Sequence, residues 1–142
     1  MKKFIWLGLI IVVVFLIFYF LNFSASSPIV GHWSYFVEDE EGYSTGFDMK
    51  LTQKGKEITG EFSAVWSFPK APAARINTGF ISGVLNNDKI SANVSWEGDR
   101  GETGTAAITF LPENKTIMWK TNSVTGDDGF TFGESMVFRR IK

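Results

Sequence analysis

Between Glu57 and Phe68 the side chains alternate. Ile58, Phe62, Ala64, Trp66 and Phe68 fall on one side, and Glu57, Thr59, Glu61, Ser63 and Ser67 on the other. Successive side chains of an extended strand point to opposite faces, so period two means a strand with one dry face and one wet face. The same period recurs along residues 30–142. It predicts eight strands: Val30–Glu38, Gly46–Gln53, Glu57–Phe68, Asn77–Leu85, Lys89–Trp96, Thr103–Leu111, Thr116–Ser123 and Phe130–Ile141. No helical period appears beyond residue 23. Short consecutive strands joined by hairpin-length connections imply an all-β domain, an eight-stranded antiparallel up-and-down barrel, because closure removes exposed edges. Trp33, Trp66, Trp96 and Trp119 sit in the first, third, fifth and seventh strands. Eight strands enclose an interior that is filled by side chains or holds one small ligand.

Ahead of the strands, Phe4 to Phe23 carries no charge. A helix of that length spans about 30 Å, the hydrocarbon thickness of a bilayer. Lys2 and Lys3 precede it, and the next basic residue is Lys50. That bias puts the N-terminus in the cytoplasm and the rest of the chain outside, periplasmic or extracellular. A secretory signal has a shorter apolar core and a small-residue cleavage site, which Ser24-Ala25-Ser26 matches poorly. The expected organisation is an N-terminal transmembrane anchor over 1–23, a tether over 24–29 and a barrel domain over 30–142, single-pass in the cell membrane.

The chain lacks cysteine, which excludes disulfides, thiolate chemistry and lipid-modified cysteine. Beyond the anchor it holds 12 basic and 15 acidic residues with no basic stripe, which argues against nucleic acid as a partner. His32 is the single histidine. No zinc ligand set and no triad can be built around it, so no catalytic residue, metal site or cofactor is expected.

The expected connections are uneven. Lys54-Gly55-Lys56, Asn86-Asn87-Asp88 and Pro112 to Lys115 read as tight turns. Asp39 to Thr45, Pro69 to Ile76, Glu97 to Glu102 and Thr125 to Gly129 read as longer loops, which a meander gathers at one end. Loops on a rigid scaffold carry function, and barrel mouths favour pockets. Trp66, Trp96, Trp119 and Phe62 are therefore the expected ligand-lining residues, with Tyr35 and Tyr43 as polar handles. Glu97, Asp99, Glu102, Asp127 and Asp128 read as solvated hairpin tips, a weak Ca²⁺ site being the sharper alternative. Two functions from different classes remain open. One is a binding module for a small apolar or aromatic ligand in the mouth. The other is a protein-interaction module, an inhibitor or envelope-complex subunit, with a filled core.

Gly31-His32-Trp33 resembles the G-x-W opening of calycins, the superfamily of lipocalins, fatty-acid-binding proteins and avidins. The resemblance implies that Arg139 or Arg140 packs over Trp33 and, with Gly31, closes the narrow end. Ile58-Thr59-Gly60-Glu61-Phe62, Asn93-Val94-Ser95-Trp96 and Ile117-Met118-Trp119 are similar to strands three, five and seven of the avidin-streptavidin group. The biotin chemistry of that group does not carry over. Tyr35 stands where the group has Asn, Phe62 where it has Tyr, and Met136 near its last-strand Asp. A buried urea left without those partners binds poorly.

The charge bias generates a topology prediction. Protease added outside intact, wall-stripped cells should digest residues 28–142; protection of the whole domain would reverse the orientation.

Overall fold

A computed structural model of the chain describes residues 12–14, 17, 26–70, 73–126 and 132–141. The expected anchor over 1–23 lies mostly outside the described residues; Val12, Val13, Val14 and Ile17 within it are helical and exposed. Among the described residues no helix is long and apolar enough to cross a membrane.

Eight strands follow: β1 (Gly31–Glu38), β2 (Ser44–Lys54), β3 (Glu57–Ser67), β4 (Arg75–Leu85), β5 (Ser91–Gly98), β6 (Thr103–Leu111), β7 (Thr116–Thr125) and β8 (Ser135–Arg140). Each pairs antiparallel with the next, and β1 meets β8, so the sheet is a closed barrel in chain order. Alternation decides what faces inward. Phe47, Met49 and Leu51 on β2 are buried while Asp48, Lys50 and Thr52 are exposed. On β5, Ala92, Val94 and Trp96 are buried while Asn93, Ser95 and Glu97 face water.

The seam between β1 and β8 is short. Only Trp33↔Arg140 and Ser34↔Arg139 pair across it, with one further bond from the Ile141 amide to the His32 carbonyl at 2.9 Å. Ser135 to Phe138 pair with β7 but not with β1, and the last strand begins at Ser135, not at Phe130 as the alternation predicted. Thr121 diverts the chain before it. Its hydroxyl donates to the Gly133 carbonyl at 2.8 Å, and its amide donates to the Glu134 carbonyl at 3.0 Å. Phe132, with the same parity as Met136 and Phe138, is buried in the barrel.

The narrow end is plugged from the N-terminal side. Trp33 is fully buried, and its indole N–H donates to the Ile29 carbonyl at 2.8 Å. The Arg140 guanidinium lies 4.6 Å over the Trp33 ring and donates to the carbonyls of Pro28 at 2.6 Å and Val30 at 3.0 Å. Arg139, one residue earlier, points outward with the opposite parity and is exposed. Gly31, at φ +144°, adopts a backbone conformation that L side chains rarely reach, beside the Arg140 guanidinium.

The stretch 24–29, read as a tether, is docked over its second half. Ile29 is fully buried, and Ser27 donates from its amide to Gln53 Oε1 at 2.7 Å and from its hydroxyl to the Lys89 carbonyl at 2.6 Å. Ile29 supplies the apolar side chain that the floor of the barrel needs, which explains why a polar-looking linker folds back.

Trp33→Ala should cost about 3–5 kcal/mol as a large-to-small core change. Arg140→Ala should cost about 1–3 kcal/mol through its charged hydrogen bonds, and Arg139→Ala no more than about 0.5 kcal/mol. Chemical denaturation of the three variants checks the order; equal costs for the two arginines would contradict the closure described.

Candidate functional site: an aromatic cage at the barrel mouth

Four inward side chains from four strands surround one point near the long-loop end: Phe47 on β2, Phe62 on β3, Trp96 on β5 and Trp119 on β7. Phe132 occupies that point. Its ring stacks on Trp119 at 4.2 Å between centroids and on Phe47 at 4.9 Å. It meets Phe62 and Trp96 edge-on at 5.0 and 5.2 Å. Such offset and edge contacts each add to the burial of apolar area.

Two of the cage walls depend on glycine. Phe62 pairs across the sheet with Gly79, and Trp96 with Gly104. A Cβ on Gly79 would lie 2.6 Å from the Phe62 ring, and one on Gly104 equally close to the Trp96 indole. The rings lie flat over the bare backbone of the neighbouring strand, an arrangement that both tightens the sheet's curvature and fixes the rings.

One layer nearer the rim the lining turns polar. Asn77 on β4 and Glu102 before β6 are each 1% exposed. Both side chains close over Gly98, where a Cβ would meet Glu102 Oε2 at 2.6 Å and the Asn77 amide at 3.0 Å. Among the described residues, neither Glu102 carboxylate oxygen nor Asn77 Oδ1 has a hydrogen-bond partner, and the Trp96 indole N–H also lacks one. Buried polar groups are nearly always satisfied, so these four atoms at the mouth call for a donor or acceptor beyond the described side chains.

Of the residues expected to line the mouth, Phe62, Trp96 and Trp119 lie together around Phe132. Trp66 is half-buried at the rim, edge-on to Phe47 at 5.2 Å. Tyr35, the cross-strand partner of Phe47, is half-buried with its ring 6.3 Å from Phe47 and 5.7 Å from Phe138. Tyr43 is not brought to the cage. It is exposed outside the mouth, where its ring meets Phe68 at 6.1 Å, because Asp39 ties the hairpin by accepting from the Glu41 and Tyr43 amides. Among the acids read as hairpin tips, Asp99 accepts from the Thr78 hydroxyl at 3.2 Å. Glu102 departs from that reading because it is buried, and Asp127 and Asp128 lie outside the described residues. Among the described residues no group of three acidic, histidine or cysteine side chains could hold a metal ion. The loop asymmetry is also smaller than expected: the β5–β6 connection, 99–102, is as short as 112–115 at the opposite end.

The sequence singled out neither Phe132 nor Asn77, and it pointed to Glu102 as a solvated hairpin tip. Parity carried a signal for Glu102, since it continues the inward series of Ala106 and Gly104. Phe132 shares the parity of inward Met136 and Phe138, which marks it as inward but gives no sign that it leaves the ladder.

Two clefts lie on the outer wall. One, of about 760 Å³, runs past His32, Lys50, Glu61, Phe80, Glu97 and Asp99. The other, of about 460 Å³, is bordered by Ser82, Ser95, Thr105 and Ser123.

No protein-family model and no curated protein sequence matches the chain. Among solved structures it is similar to a de novo designed fluorescence-activating β-barrel, with 13% sequence identity, a TM-score of 0.54 and coverage of 82% of this chain and 97% of the design. At that identity the likeness shows the fold alone: an eight-stranded antiparallel barrel, consistent with the calycin resemblance but not specific to the avidin group.

Gly104→Ala tests the cage wall. The added methyl should push the Trp96 indole off β6 and cost about 1–3 kcal/mol by overpacking. A shifted Trp96 indole N–H resonance with reduced stability is the expected outcome; an unmoved resonance would contradict the contact.

Proposed function

We propose that this protein is a membrane-anchored, extracytoplasmic binding module that takes a small apolar or aromatic ligand in the barrel mouth. The observation that carries the proposal is Phe132. A single ring from a connecting segment, held by no ladder of its own, sits among Phe47, Phe62, Trp96 and Trp119 as a flat ligand would. A strand residue at this place would be fixed by its pairing. Among the described residues, Phe132 is held by its ring contacts and by the bonds of Thr121 to the Phe132 and Gly133 carbonyls, which a competing ring would have to replace.

Membrane placement rests on the uncharged run from Phe4 to Phe23 and the two lysines before it. Residues 26–30 dock at the narrow end, so an anchor entering there turns the mouth away from the bilayer. Only residues 24–26 separate the run from buried Ser27. At about 3.3–3.6 Å per residue that holds the barrel floor close to the membrane surface.

A second reading, a protein-interaction module, draws on the outer wall. Phe80 is 68% exposed and is paired across the sheet between Glu61 and Glu97. An apolar anchor flanked by acids suits a basic partner surface.

The small-molecule reading predicts competition between Phe132 and ligand. The full-length chain, ¹⁵N-labelled and held in detergent, is titrated with 2-phenylethanol while the indole N–H resonances are followed. Trp96 and Trp119 should shift, and Phe132→Ala should bind about tenfold more tightly, because an internal competitor lowers apparent affinity by the fraction of open sites. Absence of any shift at Trp96 and Trp119 in both proteins would remove this reading and leave the outer wall.

A further inference from the structure

Four of the five buried side-chain atoms without a partner among the described residues belong to Asn77, Trp96 and Glu102. Three of the four are oxygens: both of the Glu102 carboxylate and Oδ1 of Asn77. The mouth is therefore rich in acceptors. A glutamate is almost never fully buried unless it is paired, and removing one from water without a partner is strongly unfavourable. Glu102 lies beside Gly98, two residues before Gly104, over which the Trp96 indole rests. The carboxylate thus sits at the rim of a cage walled by π faces, and a cation is attracted to both.

We infer that the mouth selects a protonated arylalkylamine, whose ammonium is received by Glu102 and Asn77 and whose ring takes the place of Phe132. This rests on the binding reading above and adds the chemical class of the ligand. An ammonium presents three donors and no acceptor, and three open acceptor oxygens face it. A carboxylate or phosphate ligand would face the same oxygens with repulsion. A neutral alcohol offers one donor and leaves the Glu102 charge uncompensated. The unpartnered state of Glu102 also predicts that the ligand-free protein is less stable than it would be with a neutral isostere there, as binding sites that trade stability for function often are.

The test uses the full-length chain in detergent, followed through the Trp96 and Trp119 indole N–H resonances. It is titrated with 2-phenylethylamine at neutral pH, with 2-phenylethanol as the neutral isostere and phenylacetate as the anion. The amine should bind about tenfold more tightly than the alcohol, the gain typical of a charge-assisted hydrogen bond, and phenylacetate should not bind. Glu102→Gln should bring amine and alcohol within about twofold of one another and melt at or above the wild-type temperature without ligand. Equal binding of amine and alcohol by the wild type, or a preference that survives Glu102→Gln, overturns the cation assignment while the aromatic site stands. A marked drop in the melting temperature of Glu102→Gln shows Glu102 to be a structural group and likewise overturns it. Failure of amine and alcohol alike, in the wild type and in Phe132→Ala, removes the binding reading itself.

Discussion

Closing eight strands on themselves leaves a space that must be filled, and the rest of this structure follows from how that is done. Protein interiors are packed as densely as organic crystals. Here the strands alone do not fill the barrel. The floor is completed by Ile29 from before β1, with Trp33 bonded to its carbonyl, and the mouth by Phe132 from before β8. Both plugs come from segments outside the ladder. The two ends differ in how firmly those plugs are held. The floor plug is fastened by Ser27, Trp33 and Arg140 through hydrogen bonds, whereas Phe132 is held by ring contacts and by Thr121 beside it.

That difference matches the seam. β8 is six residues long and pairs with β1 only at Trp33 and Ser34, close to the floor. The mouth half of β1, from Tyr35 onward, has no β8 partner. Rigidity is therefore concentrated where Trp33 and Arg140 close the barrel, and the end that carries the cage is the less constrained one. A scaffold rigid at one end and adaptable at the other suits a site that exchanges an internal ring for an external one.

The strands were legible because alternation is a local property. Residues such as Asp48, Lys50 and Thr52 could not be buried, so their neighbours Phe47, Met49 and Leu51 had to be. The pairing of Trp33 with an arginine of the last strand was legible as a choice of two, and parity on β8 explains why it is Arg140. The docking of Ser27 and Ile29 was not legible, because a polar stretch after an apolar run carries no mark of the Gln53 and Lys89 partners that hold it. Phe132 continued a strand-like pattern whose parity already pointed inward; what that pattern could not show is that 132–134 leave the ladder beside Thr121. Glu102 lay within Gly98-Asp99-Arg100-Gly101-Glu102, a run whose composition signals an exposed turn. Local rules fail at the cage and its polar rim, which is where sequence-level consistency is expected to yield to function.

The account depends on Phe132 standing where a ligand stands. The most direct measurement is the nuclear Overhauser contact between the Phe132 and Trp119 rings, whose centroids lie 4.2 Å apart. In ligand-free full-length protein the contact should be strong. At saturating 2-phenylethylamine it should vanish, replaced by contacts from the ligand ring to Trp119 and Trp96. A Phe132–Trp119 contact that persists unchanged with ligand bound would contradict the account.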